Sequence, residues 1–142
     1  MNRLVELNGV VLADVEDEMD AQVEKWGEQR HPDGTIDSEE SEWQADFDRT
    51  LCQEAAGNGT LTWRHILQEE VSEAFAEVDP DKLREELVQI AAVAGSWMRD
   101  IDRRTATIRT ESLRDFKFAP PAEQTWAGLT FIQDEHGESA RG

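Results

Sequence analysis

The chain is poor in cations, cysteine and long apolar runs. In 142 residues it has one Cys, no Tyr and only 14 Lys and Arg against 32 Asp and Glu, a formal charge of −18. Having so few cations, it has no surplus to displace counterions from DNA or RNA, so a nucleic-acid polymer is excluded as its main partner. An anionic membrane surface is excluded on the same ground. The lone Cys52 rules out an internal disulfide and fits a reducing cytoplasm, the expected location. No neighbouring residue activates Cys52, which reads as a half-buried structural thiol rather than a nucleophile. No run of eighteen apolar residues occurs, so no membrane-spanning helix is expected. The Met1–Val15 stretch lacks a basic start and a sustained apolar core, and does not read as a secretory signal. Hydrophobic residues make up 38% of the chain, low for a globular domain. The expectation is that a second copy completes the core.

What the chain does have is helical periodicity. The spacing predicts a first helix over Leu12 to Gln29, with Val15, Met19, Val23 and Trp26 on one stripe. Gly27 weakens its end and His31-Pro32-Asp33-Gly34 stops it. An acidic loop over Thr35 to Glu42 leads to a second helix over Glu42 to Ala56, closed by Gly57-Asn58-Gly59. Thr62 caps a third helix over Trp63 to Val78, and Asp79-Pro80 opens a fourth running to about Arg104. In that fourth helix Leu83, Leu87, Ile90, Ala94, Trp97 and Ile101 form a seam, and Ala91, Ala92, Ala94 and Gly95 let a neighbour approach closely. The expected fold is an all-α antiparallel bundle of about four helices over residues 1–105. Residues 106–142 form an irregular tail carrying Phe116, Phe118, Pro120, Pro121, Trp126 and Phe131, with a disordered end from Asp134.

The acids are not evenly informative. Glu70 and Glu73 stand three apart and share a helix face, and Glu86 and Gln89 repeat that spacing on the next helix. A short Asp79-Pro80 turn makes the two helices antiparallel, so the pairs can face each other. Three carboxylates and an amide oxygen make a hard oxygen site suited to Mg²⁺ or Mn²⁺. Such Glu pairs are also common on solvated helix faces, and this second reading stays open. Favouring the first, Glu70 and Glu73 flank Ile66, Leu67, Ala74 and Phe75, and like charges at this density repel unless a cation offsets them.

These residues resemble the MazG type of all-α nucleoside triphosphate pyrophosphohydrolases, whose signature is Glu-Glu-x-x-Glu, a spacer, then Glu-x-x-Asp. Glu69, Glu70 and Glu73 match the first half, residues 74–85 are the spacer, and Glu86 opens the second half. Gln89 stands where the pattern has Asp, a weaker ligand that removes one negative charge. The block Gln22-Val23-Glu24-Lys25-Trp26-Gly27-Glu28-Gln29-Arg30-His31-Pro32 and the run Arg84 to Val93 are also similar to phage and actinobacterial relatives. The resemblance covers about Leu12 to Arg104. It implies cleavage of an NTP or dNTP to NMP and pyrophosphate. Glu70, Glu73, Glu86 and Gln89 would hold Mg²⁺, with Mn²⁺ as the alternative. Glu69 and Glu70 would serve catalysis, Glu69 by orienting a water or taking its proton. It also implies a homodimer or homotetramer.

A triphosphate needs more than a metal to offset its charge. Lys25 is the expected phosphate contact, with Gln22, Gln29 and His31 as polar contributors. Trp26 either stacks on a nucleobase or lies in the core with the Val15-Met19-Val23 stripe. Trp63 and Trp97 read as core or interface aromatics, and His65 as structural.

Overall fold

The computed structural model describes residues 3–118, and side chains from residue 5 to residue 106. It contains α1 (Arg3–Trp26), α2 (Glu39–Asn58), α3 (Trp63–Ala76) and α4 (Pro80–Phe118), and no strand among the described residues. The expected all-α class and helix count are observed. No described helix is long and apolar enough to cross a membrane.

Cross-helix contacts fix the directions. Arg49 reaches Glu73, and Asp48 meets both Gln68 and Ser72, so α2 and α3 run antiparallel. The Trp63 indole donates to Asp100 (3.2 Å), while Glu73 lies by Glu86, so α3 and α4 are antiparallel too. Arg99 donates to Asn8 (2.7 Å) and Gly95 faces Val11, which sets α1 antiparallel to α4. At Gly95 a Cβ would lie 3.4 Å from Val11 Cγ1, so the missing side chain is what lets these helices come close. The small residues of α4 act as expected: Ala91, Ala92 and Gly95 line one groove with Val11 and Leu12.

Helix ends differ from the sequence reading for local reasons. Gly27 adopts a left-handed backbone (φ 71°), and α1 ends at Trp26 rather than Gln29. Upstream, α1 continues back to Arg3, well before Leu12, since no Pro or turn cluster interrupts it. Ser38 caps α2, accepting from the Ser41 amide (3.2 Å) while Ser41 Oγ accepts from the Ser38 amide (3.1 Å). That reciprocal pair starts α2 at Glu39, inside the expected loop, and Glu39, Glu40 and Glu42 then suit the positive end of the helix dipole. The predicted Gly59 stop and the Thr62 and Asp79 caps are all present. His65 completes the Thr62 cap, a structural role as expected. At its far end α4 runs on to Phe118, past Arg104, so residues 106–118 are helical rather than irregular. Nothing between Arg104 and Phe118 breaks a helix, and Pro120 is the first residue that does. Pro120, Pro121, Trp126, Phe131 and the stretch from Asp134 lie outside the described residues. The chain divides into compact units at Asp102/Arg103, and every site residue considered below belongs to the first.

The core is thin. Val11, Ala45, Cys52, Ala55, Ala74 and Leu83 are buried, and among the described residues no large side chain is fully so. Cys52 is more enclosed than half-buried. Val15, Met19, Val23 and Trp26 all stand exposed, Trp26 at 62%, so the α1 stripe is not core within this chain. The α4 seam is divided: Leu83 is buried, while Leu87 and Ile101 are exposed.

Candidate metal centre

Antiparallel packing of α3 on α4 brings the acidic spacings together. Glu70, Glu73 and Glu86 each present a carboxylate oxygen within 4.8 Å of the other two, all three half-buried. Oxygens bound to one octahedral Mg²⁺ at 2.0–2.1 Å are at most about 4.2 Å apart, so a small side-chain contraction would let this donor set hold such an ion. The residues therefore fit the group by number, hardness and spacing. Burial, then the charges of Glu73, Glu86 and Glu69, push the Glu70 carboxyl above its usual range. Glu86 is pushed up by burial and by Glu73, Glu77 and Glu85, with Arg49 pulling the other way. Each group therefore holds its proton more tightly than a free carboxylate, the signature of crowded negative charge.

Glu69 points elsewhere. It lies on the Cys52 side of α3 and accepts the thiol's hydrogen bond. Burial first, then that bond and the charges of Glu69 and Glu70, push the Cys52 thiol up to about 11. The thiol thus stays protonated at neutral pH and fixes the direction of Glu69. Gln89 is exposed on α4 and does not line the carboxylate cleft.

The cleft itself holds about 390 Å³ and lies between α2, α3 and α4. Glu42, Asp46, Glu73, Glu77 and Glu86 line it with Ala45, Ala76 and Arg49. Arg49 was missed by sequence reasoning. Its Nη2 and Nε both donate to one Glu73 oxygen, at 2.6 and 3.1 Å, and its Nη1 donates to Asp46 at 2.7 Å. The three clustered carboxylates carry −3 and Arg49 +1, leaving −2, the charge a divalent cation would balance.

Asp48 was also missed. It is 4% exposed between α2 and α3 and accepts from Gln44 Nε2 (3.0 Å), Gln68 Nε2 (3.3 Å) and the Ser72 hydroxyl. Three donors satisfy the buried carboxylate, which makes it a polar tie between helices. Its signal was an acid within the otherwise small, apolar stripe of Ala45, Cys52 and Ala55.

The expected phosphate contacts form a separate group at the end of α1. Lys25 Nζ lies 4.6 Å from the Trp26 ring centre, both exposed, and Gln22 donates to Glu18. Gln22 and Gln29 line a small hollow with Met19, Val23 and Gly27, and His31 is exposed on the loop beyond. None of Gln22, Lys25, Trp26, Gln29 and His31 lines the carboxylate cleft. Comparison with family models, curated proteins and solved structures finds no match to this chain.

Proposed function

We propose that this protein is a Mg²⁺-dependent nucleotide pyrophosphohydrolase, cleaving an NTP or dNTP to NMP and pyrophosphate. The observation that carries this reading is the convergence of Glu70, Glu73 and Glu86 from two helices beside an open cleft. The resemblance of their spacing, and of the Lys25-Trp26-Gly27 block, to pyrophosphohydrolases of the MazG type supplies the reaction. Glu70, Glu73 and Glu86 would hold the ion, with Mn²⁺ as an alternative. When bound, such an ion neutralises phosphate charge and acidifies a nearby water.

The remaining work falls to the protein's own groups. Glu69 takes the proton of the attacking water, its direction held by the Cys52 thiol. Lys25 and Trp26 contribute phosphate and base contacts if a second copy of the chain brings them to the cleft. The open Val15-Met19-Val23-Trp26 stripe and the exposed Leu87 and Ile101 support such a homodimer. Five carboxylates line the cleft against one guanidinium, so the substrate enters with its charge already offset by cations.

A panel of NTPs and dNTPs with Mg²⁺ tests this reading. The expected products are NMP and pyrophosphate, with turnover falling at least about a hundredfold in Glu70→Gln; phosphate release instead, or no turnover, would contradict it. Gln89 favours a second reading, nucleotide binding with little catalysis, because its neutral amide stands exposed and adds no charge. Thermal stabilisation by nucleotide without product, together with a gain of turnover in Gln89→Asp, would favour that alternative.

A further inference from the structure

Among the residues lining the carboxylate cleft, Arg49 is the one cation. Its guanidinium places two donors on a single oxygen of Glu73 and a third on Asp46. Glu73 belongs to the three-carboxylate cluster, so Arg49 occupies a group that an ion would need. The side chain is 42% exposed, so its head can turn without breaking the core. A guanidinium presents donors in a planar fork that matches phosphate oxygens as well as carboxylate ones.

We propose that Arg49 is the exchangeable cation of this site. In the free protein it neutralises Glu73 and reaches Asp46. It gives up Glu73 to a divalent cation and turns its freed donors to the phosphates that enter with that cation. Arg49 thus links metal loading to substrate binding, and it supplies to the cleft the phosphate contact that sequence reasoning sought in Lys25. The inference rests on the pyrophosphohydrolase reading of the same carboxylates. A residue that only tied α2 to α3 would also bridge Arg49 to Glu73, but its removal would loosen the cluster and weaken metal binding. An exchangeable cation acts oppositely, because its removal leaves Glu73 unclaimed.

Calorimetric titration of Mn²⁺ into the whole chain, as wild type, Arg49→Gln and Arg49→Lys, separates these roles, with folding of each variant checked by circular dichroism. Arg49→Gln is expected to bind Mn²⁺ about tenfold more tightly, the effect of one positive charge removed near a divalent ion at the protein surface. With Mn²⁺ saturating, inorganic pyrophosphate is expected to bind Arg49→Gln at least about tenfold more weakly, since a charge-assisted hydrogen bond is lost. Arg49→Lys keeps the charge and loses the fork. It is expected to bind Mn²⁺ as the wild type does and pyrophosphate more weakly, so it tests the proposal even if Arg49→Gln fails to fold. Equal or weaker Mn²⁺ binding by folded Arg49→Gln, or unchanged pyrophosphate binding in both variants, would overturn the exchange while leaving the metal site intact. No Mn²⁺ binding by any of the three proteins would overturn the metal reading, and the exchange with it.

Discussion

Replacing Glu86 by Gln should make the metal-free protein more stable, against the usual direction for a half-buried residue. Glu86 sits with Glu70 and Glu73 in a cluster whose oxygens lie within 4.8 Å of one another. At that distance two unit charges repel by about 0.9 kcal/mol in a water-like dielectric and about 3.5 kcal/mol at the effective value near a protein surface. Partial exposure, salt and the opposing pull of Arg49 leave roughly 1 kcal/mol to be relieved, about 4 °C in melting temperature for a chain this size. The pH dependence follows from the raised Glu86 carboxyl. A folded-state value above the unfolded one means that the cost is absent below the unfolded value and develops as pH rises through the folded one. The gain in Glu86→Gln is therefore expected at pH 7.5 and should vanish near pH 4. Magnesium should reverse the order. At 10 mM Mg²⁺, a site with a dissociation constant of about 1 mM stabilises the wild type by about 1.4 kcal/mol, again about 4 °C, and the variant by far less. Thermal melts in chelator and in Mg²⁺ at both pH values read all four quantities. A variant less stable than wild type in chelator at pH 7.5, or equally stabilised by Mg²⁺, would refute the reasoning.

Asp48→Ala strands the Gln44, Gln68 and Ser72 donors in the α2–α3 interface and should cost about 2–4 kcal/mol in urea unfolding; a loss below about 1 kcal/mol would show that the tie is dispensable. The buried Cys52 thiol, pushed up to about 11, should alkylate at pH 8 only as fast as the protein opens, and prompt labelling of the native state would contradict that environment. Gly95→Ala adds a Cβ at ordinary contact distance from Val11 and should be neutral or stabilising by up to about 1 kcal/mol. Gly95→Leu should cost more than about 1 kcal/mol by forcing α1 from α4, and equal melting temperatures for the two variants would undercut the close approach.

The residues that carried the sequence reading furthest were those whose partners are local. Thr62, Asp79 and Gly59 mark helix ends through hydrogen bonds or backbone conformation within a few positions, and each acts as read. The Glu70, Glu73 and Glu86 cluster was also legible, because a short turn converts two i, i+3 spacings into one meeting point. Ser38 was overlooked as a cap because its partner at the third helical position is Ser41 rather than Glu or Gln. Arg49 and Asp48 were overlooked because their partners lie 24 residues away, a distance that no periodicity reports. Trp26 shows the converse failure. Its stripe has a regular apolar spacing, yet within one chain nothing described covers it.

The account's central claim is that the half-buried carboxylates hold a divalent cation for chemistry on a nucleotide. Calorimetric titration of Mg²⁺ into the wild type and Glu70→Gln tests the first half of it most directly. One ion per chain at millimolar affinity or tighter, weakened at least about tenfold in Glu70→Gln, is the predicted result. No binding heat from the wild type, or equal affinity in the two proteins, would contradict it.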